Sequence, residues 1–220
     1  MQSAAHQEKH FQQYIIDRLV DQGWKLGDSK FYDTERAVYP EDLKSWVKTS
    51  GQQEKWDKLE RLNGAKTLEV LMDRLDKALE KQGTMQVLRQ GFSIAGCGLI
   101  EMTEAAPEDM RNLAVIERYQ ANILRVVPEL KYHPAREFAI DLCLFINGLP
   151  VATIELKTDF TQSCEAAMDQ YRNDRLPYDA KTKRWEPLLT FKRGAVVHFA
   201  MSDSEIMMAT KLDGENTFFL

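Results

Sequence analysis

Two strongly apolar segments of this 220-residue chain carry charge where charge is costly. Phe138 to Ile146 (FAIDLCLFI) contains Asp141, and Pro150 to Lys157 (PVATIELK) closes on Glu155 and Lys157. A carboxylate among apolar side chains must be hydrogen-bonded, paired, neutralised or bound to a cation. Side chains two apart on a strand share a face, so Glu155 and Lys157 emerge together while Leu156 points away. Two carboxylates about 4 Å apart repel by roughly 1 kcal/mol in water, and several-fold more near protein. A hard dication such as Mg²⁺ relieves that repulsion and prefers carboxylate and water oxygens. It also lowers the pKa of a bound water and screens the charge of a phosphodiester in displacement. Lys157 is a compact cation that can orient or deprotonate the attacking water. The pattern has the form D…E-x-K, and the chemistry it suits is metal-assisted phosphodiester hydrolysis. E-x-K is common by itself, and an ordinary hairpin ending in a salt bridge uses the same residues.

Whether the two acids meet depends on the turn between the strands. A two-residue Asn147-Gly148 turn pairs Ile146 with Leu149 and sets Asp141 against Ile154, on the face away from Glu155. A three-residue turn, Asn147-Gly148-Leu149, pairs Ile146 with Pro150 and sets Asp141 against Glu155. Pro150 cannot donate a ladder hydrogen bond, which favours an irregular turn or a bulge. The expectation is the three-residue register, with both acids on one face.

The rest of the chain must position this hairpin. Ala5 to Gln22 reads as an amphipathic helix ending at Gly23, with Phe11, Ile15 and Leu19 as its apolar stripe and Glu8 on the same stripe. An acid on a buried stripe wants a cation, although a first-turn Glu is also favoured by the helix dipole. Asp33 to Val47 reads as a turn and a short helix with Pro40 near its start. Further helices are expected over Trp56 to Leu62 and Thr67 to Lys81, the latter on a Leu68, Leu71, Met72, Leu75, Leu79 stripe with Gly83 as its stop. Phe92 to Leu99 is ambiguous. Ala121 to Val127 reads as a strand that could run past Pro128 to Tyr132. Ser163 to Tyr171 reads as a helix N-capped by Ser163, with Cys164, Ala167, Met168 and Tyr171 on one face. Ala195 to Ala200 and Glu205 to Ala209 read as closing strands. This order predicts one α/β domain: a mixed central sheet flanked by helices over about 120–210, with a helical elaboration over about 30–90.

Composition narrows the partners. A net charge of −5 excludes a generally basic nucleic-acid binder, so DNA contact must come from a local patch or through a metal. The three cysteines, Cys97, Cys143 and Cys164, form no C-x-x-C pair, which argues against a zinc or disulfide framework and fits a reducing cytoplasm. No apolar run approaches the roughly 18 residues of a membrane span, and the N-terminus has no signal-peptide core. Two basic clusters could meet DNA. One is Gln170, Tyr171, Arg172 and Arg175, on and just past the Ser163 helix, where a plain helix end rich in cations is the alternative. The other is Lys181, Lys183, Arg184, Lys192 and Arg193 around Trp185, which reads more readily as a solvated loop. There is no P-loop pattern.

Several segments carry a resemblance: Glu8-x-x-Phe11, AVYPEDL, LMDRLDKALEKQGTMQVLRQGF, RVVPELKYHPAREFAIDLCLFINGLPVATIELK, DQYRNDR and KRGAVVHFAMSDSEIMMATKL. Together they span nearly the whole chain, which resembles the N-terminal nuclease domain of type I restriction enzyme R subunits. The resemblance implies a restriction-endonuclease-like core and Mg²⁺-dependent cleavage of double-stranded DNA, with Mn²⁺ as a substitute. It makes Asp141 and Glu155 metal ligands, Glu8 the helix-borne acid near the metal, and Lys157 the residue assisting the water. Gln170 and Tyr171 then support the site and meet DNA. The implied partners are modification and specificity subunits. Family members continue into a helicase-like motor that hydrolyses ATP, so the chain is expected to be a fragment of a longer subunit. A non-catalytic docking module and a stand-alone nuclease acting on branched DNA are the competing readings.

Overall fold

Helix α1 (Ala4–Asp21) forms where its stripe requires and stops before Gly23, whose φ of +93° suits a helix exit. It is followed by the two-residue strand β1 (Lys25–Leu26). Helices α2 (Pro40–Thr49), α3 (Gln53–Asn63), α4 (Thr67–Gln82) and α5 (Thr84–Gln90) come next. Pro40 sits in the first turn of α2, where its missing N–H costs nothing. Gly83 does end α4, but the chain turns at once into α5, which periodicity did not reveal. The ambiguous Gly-interrupted stretch is a small hairpin of β2 (Phe92–Ile94) and β3 (Gly98–Ile100). Helix α6 (Leu113–Gln120), also unanticipated, leads into the main strands β4 (Leu124–Lys131), β5 (Ala139–Ile146) and β6 (Leu149–Leu156). Helix α7 (Cys164–Asn173), the short hairpin β7 (Tyr178–Asp179) and β8 (Arg184–Trp185), and strands β9 (Val197–Met201) and β10 (Ile206–Ala209) complete the chain. These positions come from a computed structural model, which describes residues 4–109, 111–158 and 163–220.

The central sheet has strand order β1-β4-β5-β6-β9-β10. β1 and β4 are parallel, as are β6 and β9, and the other neighbours are antiparallel. The chain is thus α/β with a mixed sheet, and β6–α7–β9 is its crossover unit. Pro128 fits within β4 because β1 pairs with β4 only at Arg125 and Val126, leaving the proline's missing donor on an unpaired edge. Helix α1 covers one face with Ile16 against Val126, Leu142, Ile154 and Leu156. Helix α7 covers the other, where Cys164, Ala167 and Tyr171 meet Cys143 and Phe145. A further core of Leu43, Trp46, Trp56, Leu71, Leu75 and Leu79 fills the helical region and reaches Leu149. Asp42 of α2 and Arg125 of β4 join these parts through two hydrogen bonds of 2.5 and 2.6 Å. Ser163 occupies the N-cap of α7, but its side chain makes no capping bond.

The hairpin turn corrects one expectation and keeps its consequence. The turn has two residues, not three: Ile146 pairs with Leu149, and Phe145 with Pro150. Asn147 and Gly148 both have positive φ, +50° and +89°, as a type I′ turn needs. The Asn147 side chain locks that geometry by accepting from the Ile123 amide at 2.7 Å and donating to the Met102 carbonyl at 2.8 Å. A bulge then absorbs one residue, Val151, so that Leu144 pairs with Ala152 and Leu142 with Ile154. Continuing that register by one step sets Asp141 opposite Glu155. Pro150, which has no N–H to donate, sits beside the irregularity.

Gly148 is also packed. A Cβ there would lie 2.7 Å from the Tyr39 carbonyl oxygen and 2.9 Å from the Leu43 amide nitrogen. Gly148→Ala should therefore cost about 2 kcal/mol or more, from a strained left-handed backbone and a displaced start of α2. Urea unfolding measures it; an unchanged midpoint would mean that α2 shifts freely against the turn.

Candidate active site

Strands β5 and β6 bring Asp141 and Glu155 together at the end of the sheet reached by the first turns of α1. Glu155 is fully buried. Its Oε1 accepts from Arg175 Nε at 2.5 Å, and its Oε2 has no hydrogen-bond partner among the described residues. Burial, and next the charge of Asp141, push its pKa up to about 8 against the opposing pull of Arg175. Asp141 is half-buried, and Oδ2 accepts from the Leu156 amide at 2.7 Å. Its pKa is also raised, mainly by burial, with the Leu156 hydrogen bond and Lys157 working the other way.

Lys157 emerges beside this pair. Its Nζ donates to Glu8 Oε1 at 3.0 Å and to the Leu156 carbonyl at 2.8 Å. The stripe acid of α1 thus finds its cation. One turn on, Gln12 Nε2 donates to the Asp141 carbonyl at 2.8 Å and to Glu129 Oε1 at 3.0 Å. Glu129 interrupts β4 with a φ of +46°. Glu8, Gln12, Glu129 and Asp141 line a cavity of 140 Å³.

Gln12 and Glu129 escaped the sequence reading. A signal existed for Gln12, which lies one helical turn from Glu8 and so on the same face. None existed for Glu129, whose place follows from strand pairing and an unusual backbone angle.

The α7 residues divide in a way that spacing could not show. Tyr171 is fully buried, and its hydroxyl is 2.8 Å from Thr153 Oγ1, which is in turn 2.7 Å from His198 Nδ1. Tyr171 supports β6 from below. Arg175 is also buried, as the counter-ion of Glu155 with a second bond of 2.8 Å to the Ala139 carbonyl. Of the two roles expected of these residues, DNA contact or support of the site, their burial and their partners fit support. Gln170 has a buried Oε1 without a partner. Arg172 is partly exposed, paired with Glu165 and Asp169 on its own helix. In the other basic cluster, Arg184 pairs with Glu35, and Arg193 pairs with Asp76, so these two arginines fasten loops. Lys181, Lys183 and Lys192 remain exposed.

The donor set suits a hard dication. Asp141 and Glu155 supply carboxylate oxygens, and the orphaned Glu155 Oε2 lacks the partner that a buried carboxylate oxygen requires. Cys97, Cys143 and Cys164 form no disulfide among the described residues. Among the described residues no helix is long and apolar enough to cross a membrane.

No curated protein matches the chain. The family model of the type I restriction enzyme R protein N terminus matches residues 6–217. With the D…E-x-K hairpin, the helix-borne acid and the mixed sheet in one frame, the chain belongs to that family of type I restriction enzyme R protein N termini.

Proposed function

We propose that this domain is the Mg²⁺-dependent endonuclease unit of a type I restriction enzyme R subunit and hydrolyses phosphodiester bonds of double-stranded DNA. The observation that carries the reading is the buried Glu155 carboxylate, set opposite Asp141 by the hairpin register and left with one oxygen unpartnered. Asp141 and Glu155 would hold the cation, with Glu8 close by; Mn²⁺ fits the same oxygens. When bound, the cation supplies a water of lowered pKa and screens the phosphate. Arg175 fixes one oxygen of Glu155, and the Leu156 amide fixes Asp141. Lys157, anchored at the strand end, orients the attacking water or donates to a phosphate oxygen once it exchanges Glu8 for that partner. ATP-driven motion and sequence recognition belong to other parts of such an enzyme, its motor and its modification and specificity subunits, working in the cytoplasm.

One observation favours a docking module instead. Each motif charge other than Asp141 already has an internal partner, Arg175 for Glu155 and Glu8 for Lys157. Calorimetric titration of Mg²⁺ or Mn²⁺ into the chain separates the readings when run beside the Asp141→Ala/Glu155→Ala variant, with and without duplex DNA. Binding lost in the variant supports the nuclease. Equal, negligible binding under both conditions supports the docking module.

Arg172 is the partly exposed cation of α7 and the candidate there for a phosphate contact. Its pairs lie on the surface, where each contributes little. Arg172→Ala should leave stability within about 0.5 kcal/mol and reduce the salt slope of DNA binding by about 1. An unchanged slope in filter binding across salt concentrations would return Arg172 to a purely helical role.

A further inference from the structure

We infer that His133, Asp179 and Glu186 form a second divalent-cation site, separate from the hairpin carboxylates and suited to a borderline ion of the Zn²⁺ type. His133 lies far in sequence from Asp179 and Glu186, which flank one short hairpin. His133 follows β4, Asp179 ends β7 and Glu186 follows β8, so the site ties the β4–β5 connection to the β7–β8 hairpin. One ligand atom from each lies within 4.8 Å of the others, and no other such group of three occurs among the described residues. His133 Nε2 is 3.4 Å from Asp179 Oδ2 and 3.4 Å from Glu186 Oε1. Two ligands bound tetrahedrally at the usual zinc distances sit about 3.4 Å apart, so the spacing is that of a coordination shell.

The site also contains buried polar atoms with nothing to bond. His133 is 4% exposed and Glu186 is 2% exposed, and among the described residues His133 Nε2 and both Glu186 carboxylate oxygens have no hydrogen-bond partner. Such atoms call for a ligand. Of the cations nearby, Arg184 pairs with Glu35, whereas Arg136 stands at the site itself and holds Asp179 Oδ2 at 2.8 Å, a contact the ion must share or displace. Asp179 is further positioned by the Lys181 amide and the Thr182 hydroxyl, each at 2.9 Å. An adjoining cavity of 230 Å³, lined in part by Tyr132, Arg136 and Phe138, has room for a water as fourth ligand. An imidazole nitrogen among carboxylates favours Zn²⁺ over Mg²⁺. Coordination has one local requirement. The Ala135 amide donates to His133 Nδ1 at 3.0 Å, so the neutral ring carries its proton on Nε2. Binding moves that proton to Nδ1 and turns the Ala135 amide away.

The test uses Zn²⁺ and the absorbing surrogate Co²⁺, titrated into the whole chain and into Glu186→Gln, His133→Asn and Asp141→Asn. Circular dichroism of each metal-free variant verifies its fold. The expected result is one equivalent bound with the visible absorption of a low-coordinate Co²⁺ site. Affinity should fall at least about 100-fold in Glu186→Gln and in His133→Asn, and stay unchanged in Asp141→Asn. Absence of uptake by the parent chain would overturn the inference, as would equal uptake by whichever of the first two variants folds. Loss of uptake in Asp141→Asn alone would assign the ion to the hairpin and also overturn it. The Mg²⁺ titration of Asp141 and Glu155 stands apart from these outcomes.

Discussion

Asp141→Asn is expected to abolish Mg²⁺ or Mn²⁺ binding and to lower DNA cleavage by the assembled enzyme about a thousandfold, while making the metal-free domain more stable at alkaline pH. The catalytic loss corresponds to the several kcal/mol that a bound dication contributes at a phosphoryl centre. The stability gain follows from linkage. An unfolded Glu155 ionises near 4.5, whereas the folded one holds its proton up to about 8. Between those values the native state binds more protons, so stability falls as pH rises. The contribution is fully present below 4.5 and is lost by about pH 8. Asp141, whose own pKa is raised by burial, pushes in the same direction. Asparagine keeps an oxygen for the Leu156 amide, 2.7 Å away in the parent, but removes the charge facing Glu155. The variant should therefore lose less stability than the parent between pH 5 and pH 8.5, read from thermal unfolding in chelator. Identical pH slopes would show that the two acids are not coupled, and unreduced cleavage would remove Asp141 from the chemistry.

The second large effect is expected at Arg175. Its guanidinium donates at 2.5 Å to Glu155 and at 2.8 Å to the Ala139 carbonyl, with little exposure to water. Arg175→Ala leaves a fully buried carboxyl without its counter-ion, and breaking such a pair is more damaging than never having had it. A loss of about 3 kcal/mol is expected from the two charge-assisted bonds and the vacated space. Arg175 is also an influence that lowers the Glu155 pKa, so the variant should go on losing stability above pH 8, where the parent levels off. Denaturant unfolding at pH 7 and pH 9 tests both points. A loss below 1 kcal/mol, independent of pH, would mean that the Arg175–Glu155 pair is dispensable to the fold.

Much of the fold was legible because it is local. Helical stripes predict α1 and α4, and each helix stops at its glycine. Apolar runs predict β5 and β6, and the period of two puts Glu155 and Lys157 on one side. The D…E-x-K hairpin is readable for the same reason, since each of its parts lies within one strand or one turn. Helices α5 and α6 were missed, being short and weakly patterned. The hairpin register came out as expected by a different route, a locked two-residue turn followed by a bulge. That route depends on Asn147 bonding to Ile123 and Met102, which no local pattern encodes.

By itself, then, the sequence determined the elements, the apolar faces that must be covered and the three charges at the end of the central hairpin. Only the tertiary structure decided which partners those charges have. Arg175, for which the sequence leaves open a DNA contact, a supporting role or a plain helix-end cation, lies inside against Glu155, and Tyr171 lies beneath β6 against Thr153. His133, Asp179 and Glu186 converge from the β4–β5 connection and the β7–β8 hairpin. The physical reason is range. Periodicity reports contacts a few residues apart, whereas a buried charge takes whatever partner chain packing brings within about 3 Å, because leaving it unpaired costs more than the distance in sequence.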